Sequence, residues 1–337
     1  MGKGENVTAE EEGGPKTPDT LYHYTSAGGL LGIIGGRGGE LCFHATDVLE
    51  MNDLSELSYG LGILRERVQE LASEETSVNF YRQWLESTDR LLEFTEDALR
   101  VAPRASICAV SFTANPDLLS QWVTYGSGGG YAVGIPSATL AGASVQRRRT
   151  AGGAFGVVLA PIAYGRDQAR ARGAGFYANA IGPKLLVLMG AIGGAVEAFR
   201  RGMAAGEDSS GSRWTPADFF DALTIWAASN IKDEAFDAEA EWRLQVGKNY
   251  SEIGDLLAHT EPPELRESNG RLLPYRQVIV PVPNAESDGE VSKTITEVVV
   301  GPGAHQLQRM HAVQQLLIAN GHDPAAVRCS TVPFRGW

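Results

Sequence analysis

Glu239 and Glu241, two residues apart and followed at the same spacing by Arg243 and Gln245, are the side chains of this 337-residue chain best suited to chemistry. Read as a strand, Phe236 to Val246 splits into two faces, with Glu239, Glu241, Arg243 and Gln245 on one and Ala240, Trp242, Leu244 and Val246 on the other. The apolar face would anchor the strand while the paired carboxylates line a cleft. There one can stabilise positive charge developing at a reacting carbon and the other can move a proton. The same alternation also describes an edge strand with a solvated, salt-bridged face, so other segments must decide between them.

His23 lies in the short aromatic strand Leu21 to Thr25, where a histidine is either a satisfied structural residue or a ligand-binding one. Trp122 stands one helical turn before Tyr125, so their rings flank one another on a helix face or enter the core. Asp53-Leu54-Ser55-Glu56 matches a capping box at a helix start. The glycine-rich loop Gly126 to Gly130 leads into a strand, so it offers no helix N-terminus to a phosphate, and a dinucleotide fold of Rossmann type is disfavoured. No P-loop ending, His-Glu-x-x-His or paired Cys-x-x-Cys is present. His305 and His311, six residues apart, read as surface residues of a helix.

The elements that must position these residues follow from periodicity. Strands are expected at Leu21 to Thr25, Glu40 to Ala45, Ala105 to Phe112, Tyr131 to Ile135, Phe155 to Tyr164, around Glu239, and at Gln277 to Val282, Thr296 to Val300 and Val327 to Val332. Helices are expected at Ser26 to Ile34, from Asp53, at Ser77 to Arg100, Leu118 to Tyr125, Asp167 to Met203, Trp214 to Ile231 and Ala304 to Asn320. This is an α+β chain with a mixed sheet: a polar tail over residues 1–19, then one domain over 20–337 with helical insertions at about 53–100 and 165–232. A net charge of −12 argues against tight non-specific binding to nucleic acid phosphates. Cys42, Cys108 and Cys329 have no pairing or metal spacing and read as reduced core residues. With no secretory signal and no apolar run long enough for a bilayer, a cytoplasmic protein of bacterial type is expected.

In order, His23-Tyr24-Thr25, Asn52-Asp53-x-x-Glu56, Ser111-Phe112-Thr113, Asp117 to Tyr125, Gly130 to Ile135, Glu239-x-Glu241-Trp242-Arg243 and Val299-Val300-Gly301-Pro302 resemble a bacterial family, domain of unknown function 2971. The resemblance runs from about Leu21 to Arg335. The same order is distantly similar to the ADP-ribosyltransferase core, a mostly antiparallel split sheet with one NAD cleft, although His23 stands where the Ser-x-Ser subclass has Arg. That resemblance implies NAD as substrate, a transferase or NAD glycohydrolase activity, a protein or nucleic-acid acceptor, and a role as a toxin or phage-defence effector. It places Glu241 on the ribose 2′-hydroxyl and Glu239 on the acceptor. His23, Tyr24, Thr25 and Ser111 would bind the dinucleotide, Trp122, Tyr125 or Tyr131 would stack on the nicotinamide, and Arg243 would pair with a carboxylate or the pyrophosphate.

Two other readings stay open. Asp53, Glu56, Glu239 and Glu241 would suit a metal-dependent hydrolase or nuclease if they gathered around Mg²⁺. An aromatic cleft that only recognises a nucleotide would make the chain a non-catalytic binding module.

Overall fold

A computed structural model of the chain describes residues 16–35, 40–51, 54–74, 78–93, 107–126, 129–145, 155–169, 216–248, 263–268, 270–281 and 294–333. The strands are β1 (Thr20–Thr25), β2 (Leu41–Asp47), β3 (Cys108–Thr113), β4 (Tyr131–Pro136), β5 (Ser144–Val145), β6 (Phe155–Pro161), β7 (Ala163–Tyr164), β8 (Ile231–Lys232), β9 (Glu241–Lys248), β10 (Glu264–Ser268), β11 (Arg271–Val280), β12 (Glu297–Val300) and β13 (Val327–Cys329). The helices are α1 (Ala27–Ile34), α2 (Leu54–Glu74), α3 (Val78–Glu93), α4 (Leu119–Tyr125), α5 (Ser137–Ala141), α6 (Pro216–Ala228) and α7 (Gln306–Ala319). The expected α+β class with a mixed, mostly antiparallel sheet is what forms: every strand pair of the main sheet is antiparallel except β12 with β13.

The sheet branches at β3. All six residues of β3 pair with β9, which occupies one edge of the strand. The other edge is shared: β2 takes its start, with Thr46 opposite Ala109, and β1 takes its end, with Tyr22 opposite Thr113. One arm continues through β1, β4, β12 and β13, the other through β2, β11 and β10. Leu21, Val133, Ile135 and Val298 from the first arm share a core with Phe43, Val278 and Val280 from the second and with Phe112, Trp242 and Leu244 from the trunk. The opposite face of the trunk is covered by α2, α3 and α6, whose Leu61, Leu64, Trp84, Phe220 and Ile225 pack with Ala109 and Ile231. Gly60 is required there, since a Cβ would lie 2.2 Å from the Ala228 carbonyl oxygen of α6.

Local signals account for most boundaries. The Ser26 side chain caps α1 by accepting from the Gly29 N–H, and Pro136, without an N–H, ends β4. β10 escaped the sequence reading because Glu264, Arg266 and Glu267 make it charged, and the first half of β11 because Pro274 interrupts its apolar run. The sign was instead the Asn269-Gly270 pair in the sequence; Ser268 pairs with Arg271, and Gly270 stands at φ +77°. The Asp53 cap, the end of the Ser77 to Arg100 helix, most of Asp167 to Met203 and the tail before residue 16 lie outside the described residues. Cys42 and Cys108 are buried free thiols, whereas Cys329 is only half-buried. Among the described residues no helix is long and apolar enough to cross a membrane.

Candidate functional site

The strand expected to begin at Glu239 begins at Glu241. After α6 the chain turns at Ser229 and Asn230, forms β8, and enters a 3₁₀ segment, Glu234–Glu239, because the Asp233 side chain accepts from the Ala235 N–H (2.9 Å) and caps it. Ala240 then adopts a left-handed conformation (φ 43°, ψ 48°) that redirects the chain into β9. Nor is β9 an edge strand with a wet face: it lies between β3 and β6, and Glu241, Arg243 and Gln245 are all buried. Glu239, two residues upstream, reaches the same place from outside the strand.

On this face a five-residue ion cluster assembles from four elements. Arg243 Nε donates to Glu241 Oε1 (2.7 Å), and its two terminal nitrogens donate to Glu56 Oε1 and to the Ser229 carbonyl. Lys232 Nζ donates to Glu239 Oε2 (2.6 Å) and Glu241 Oε2 (3.0 Å) and stands 3.6 Å from Glu56 Oε2. Glu56, the far end of the expected capping box, comes from the first turn of α2 and pairs with Arg243. The Glu241 N–H donates to the Tyr164 hydroxyl (2.7 Å), and Ser111 hydrogen-bonds the Glu241 carboxylate. Behind Arg243, Gln245 Nε2 donates to Ser229 Oγ and Asn230 Nδ2 to Gln245 Oε1, each at 3.0 Å, so the strand face is polar and buried along its length.

Burial alone would push the Glu241 carboxyl up, but the adjacent Arg243 and Lys232 charges and the bonds from Arg243 and Ser111 outweigh it and hold the group down at about 2. Burial likewise opposes charge on Lys232 and Arg243, and the surrounding carboxylates outweigh it, so both stay protonated well above their ordinary ranges. Tyr164 is pushed up to about 12 by burial. Three carboxylates face two cations, leaving one negative charge in excess. Glu241 is only 6% exposed with both oxygens engaged, whereas the Glu239 side chain is 21% exposed and its Oε1 has no partner among the described residues. Beside Tyr164 lies a cavity of about 280 Å³ lined by Arg166, Asp167, Gln168, Glu234 and Asp237.

The residues expected in one cleft are divided. Ser111, Glu239, Glu241 and Arg243 meet, but His23 does not join them. Tyr22 pairs with Thr113 and Thr113 with Glu241, so alternation turns His23 to the other face, where its ring packs on Phe43 and Phe112 (5.3 and 5.6 Å). Its Nδ1–H donates to the Ser111 carbonyl (2.9 Å) at the fork of the sheet. Thr25 and Tyr131, paired with one another, share that face, and Arg309 lies over the Tyr131 ring. Tyr24 and Trp122 form a separate buried aromatic cluster. The Tyr24 hydroxyl donates to the Asn115 carbonyl and accepts from the Leu118 N–H, and Trp122 Nε1 donates to Asp117 (2.8 Å). Tyr125, at the end of α4, is 40% exposed.

No family model, curated protein or solved structure matches this chain. The residue that sequence reasoning missed is Lys232. Its signal was present: it is the single Lys or Arg from Pro216 to Trp242, amid seven Asp and Glu. Lys232 and Arg243 also bear on the metal reading, because they fill the space between Glu56, Glu239 and Glu241 that a divalent ion would need. Asp53, the fourth ligand of that reading, lies outside the described residues.

Proposed function

We propose that the Glu56–Lys232–Glu239–Glu241–Arg243 cluster is the reacting centre of an NAD-consuming enzyme of ADP-ribosyltransferase type, which passes ADP-ribose to an acceptor or to water. The observation that carries this reading is the convergence of the Glu56 motif and the Glu239-x-Glu241-Trp242-Arg243 motif on one sheet face, with one negative charge in excess. Loss of nicotinamide develops positive charge on the ribose, and a fixed negative site beside that carbon stabilises it. The resemblance of the ordered motifs to the transferase core supports the choice of NAD.

The geometry redistributes the roles. Among the described residues Glu239 has an oxygen without a partner, and it is partly exposed, so it faces the sugar or takes the acceptor's proton. Glu241, with both oxygens held, is a positioning residue that fixes Lys232 and Arg243. His23 has no part in this centre, since it faces the core on the other side. The cavity beside Tyr164, near the lower end of ligand-pocket sizes, has room for a ribose or a nicotinamide ring rather than a whole dinucleotide.

The test is incubation of the full chain with NAD and chromatography for free nicotinamide. Wild type is expected to release it and Glu239→Gln to release it on the order of 100-fold more slowly. Equal rates would misplace the centre, and no release by wild type, with or without cell extract as acceptor, would end the NAD reading. The near-complete burial of Glu241 favours a second reading, in which the cluster is a structural ion network of a nucleotide-binding module. That reading predicts calorimetric NAD binding without turnover.

A further inference from the structure

One short exposed segment packs over Lys232 of the ion cluster. Lys232 and Glu241 are buried, while Glu234 to Ala238, immediately following Lys232 and Asp233, are all exposed. Two side chains of this segment hold Lys232: the Glu239 carboxylate at 2.6 Å, and the Phe236 ring, whose centroid lies 5.2 Å from Nζ although the residue is 44% exposed. A surface phenylalanine over a lysine ammonium covers the ammonium with an aromatic face.

The segment is held at both ends, and inside it the Phe236 N–H donates to the Asp233 carbonyl (3.1 Å) and the Ala240 N–H to the Asp237 carbonyl (3.0 Å). At the far end Thr113 Oγ1 donates to the Glu239 carbonyl (2.5 Å), Asn115 Nδ2 to the Ala238 carbonyl (3.2 Å) and the Ala114 N–H to the Ala240 carbonyl (3.3 Å). At the near end Asp233 caps the 3₁₀ turn. Between them, Glu234 and Asp237 border the cavity beside Tyr164, with the Glu234 side chain against Gly165. Ala240, where the segment meets β9, holds a left-handed backbone conformation that a residue with a Cβ adopts only at a cost.

We infer that residues 233–240 form a lid over Lys232 and Glu241, latched through Lys232 by Glu239 and Phe236 and hinged at Ala240. Its purpose, admitting substrate to the centre, rests on the proposed function; the movement does not. Opening breaks the bonds that Thr113, Ala114 and Asn115 make to the far end, withdraws Glu239 and Phe236 from Lys232, bares the ammonium, and releases the strain at Ala240.

The experiment treats the full chain, without NAD, with an amine-acetylating reagent and follows Lys232 by mass spectrometry, with exposed Lys16 as the internal reference. Phe236→Ala leaves every charge in place and is expected to label Lys232 about threefold faster. Ala240→Gly removes the left-handed strain from the closed form and is expected to label it about fivefold more slowly. Lys16 should not change in either variant. Equal Lys232 rates in all three proteins, a faster rate in Ala240→Gly, or labelling that rises only in step with global unfolding in urea would overturn the lid. Nicotinamide release with uniform labelling would sink the lid and keep the NAD reading. The expected labelling without release would do the reverse.

Discussion

Replacing Glu241 with Gln keeps the volume of the side chain and removes one charge from between two buried cations. Lowering this carboxyl from an ordinary 4.5 to about 2 in the folded chain corresponds to about 3 kcal/mol, at about 1.4 kcal/mol per pH unit. Breaking a buried ion pair from one side costs roughly 3–5 kcal/mol. Because Glu56 still faces Arg243 and Lys232 in the variant, the lower end applies, and both routes give about 3 kcal/mol. The folded-state pKa is depressed, so the stabilisation is complete well above 4.5 and is lost as pH falls from there toward 2. Equilibrium urea unfolding of wild type and Glu241→Gln should therefore show a gap of about 3 kcal/mol at neutral pH that shrinks to about half near pH 3, with unchanged slopes. A gap under about 1 kcal/mol at neutral pH, or one that stays constant in acid, would refute the claim that Arg243 and Lys232 clamp this carboxylate.

Gly130→Ala places a Cβ 2.6 Å from Gly126 Cα and 2.8 Å from the Thr25 carbonyl oxygen, both backbone atoms, so a loss of about 2 kcal/mol or more is expected as a lowered urea midpoint. A variant as stable as wild type would show that the loop is not packed this tightly. Burial holds the His23 imidazole below its ordinary 6.5 even though its bond to the Ser111 carbonyl favours charge, and the ring stays neutral with the proton on Nδ1. The unfolded chain then binds that proton first, so this residue's contribution to stability falls as pH drops below 6.5. Nitrogen NMR that finds His23 titrating at or above 6.5 would contradict this placement.

How far the sequence could be read depended on how far apart the interacting residues lie. Ser26 caps α1, Pro136 stops β4 and Asp233 caps the 3₁₀ turn, each acting within a few residues of itself. The apolar series Trp242, Leu244 and Val246 was rightly assigned to the core for the same reason. The chemical face opposite it was identified in part: Glu241, Arg243 and Gln245 do share it. Glu239 was misplaced by a backbone event at Ala240, whose left-handed turn breaks the alternation that the strand reading had extended two residues too far.

Sequence by itself set most element types, the α+β class and the two-faced strand that carries Glu241 and Arg243, because propensity, capping and side-chain alternation are properties of neighbouring residues. Only the tertiary structure paired Glu56 with Arg243 across 187 positions and brought Lys232 between three carboxylates. It also decided that β1 and β2 share one edge of β3, with Tyr22 opposite Thr113. That register sends His23 into the core and Glu241 to the other side, since a shift of one residue in strand pairing exchanges the two faces of a sheet.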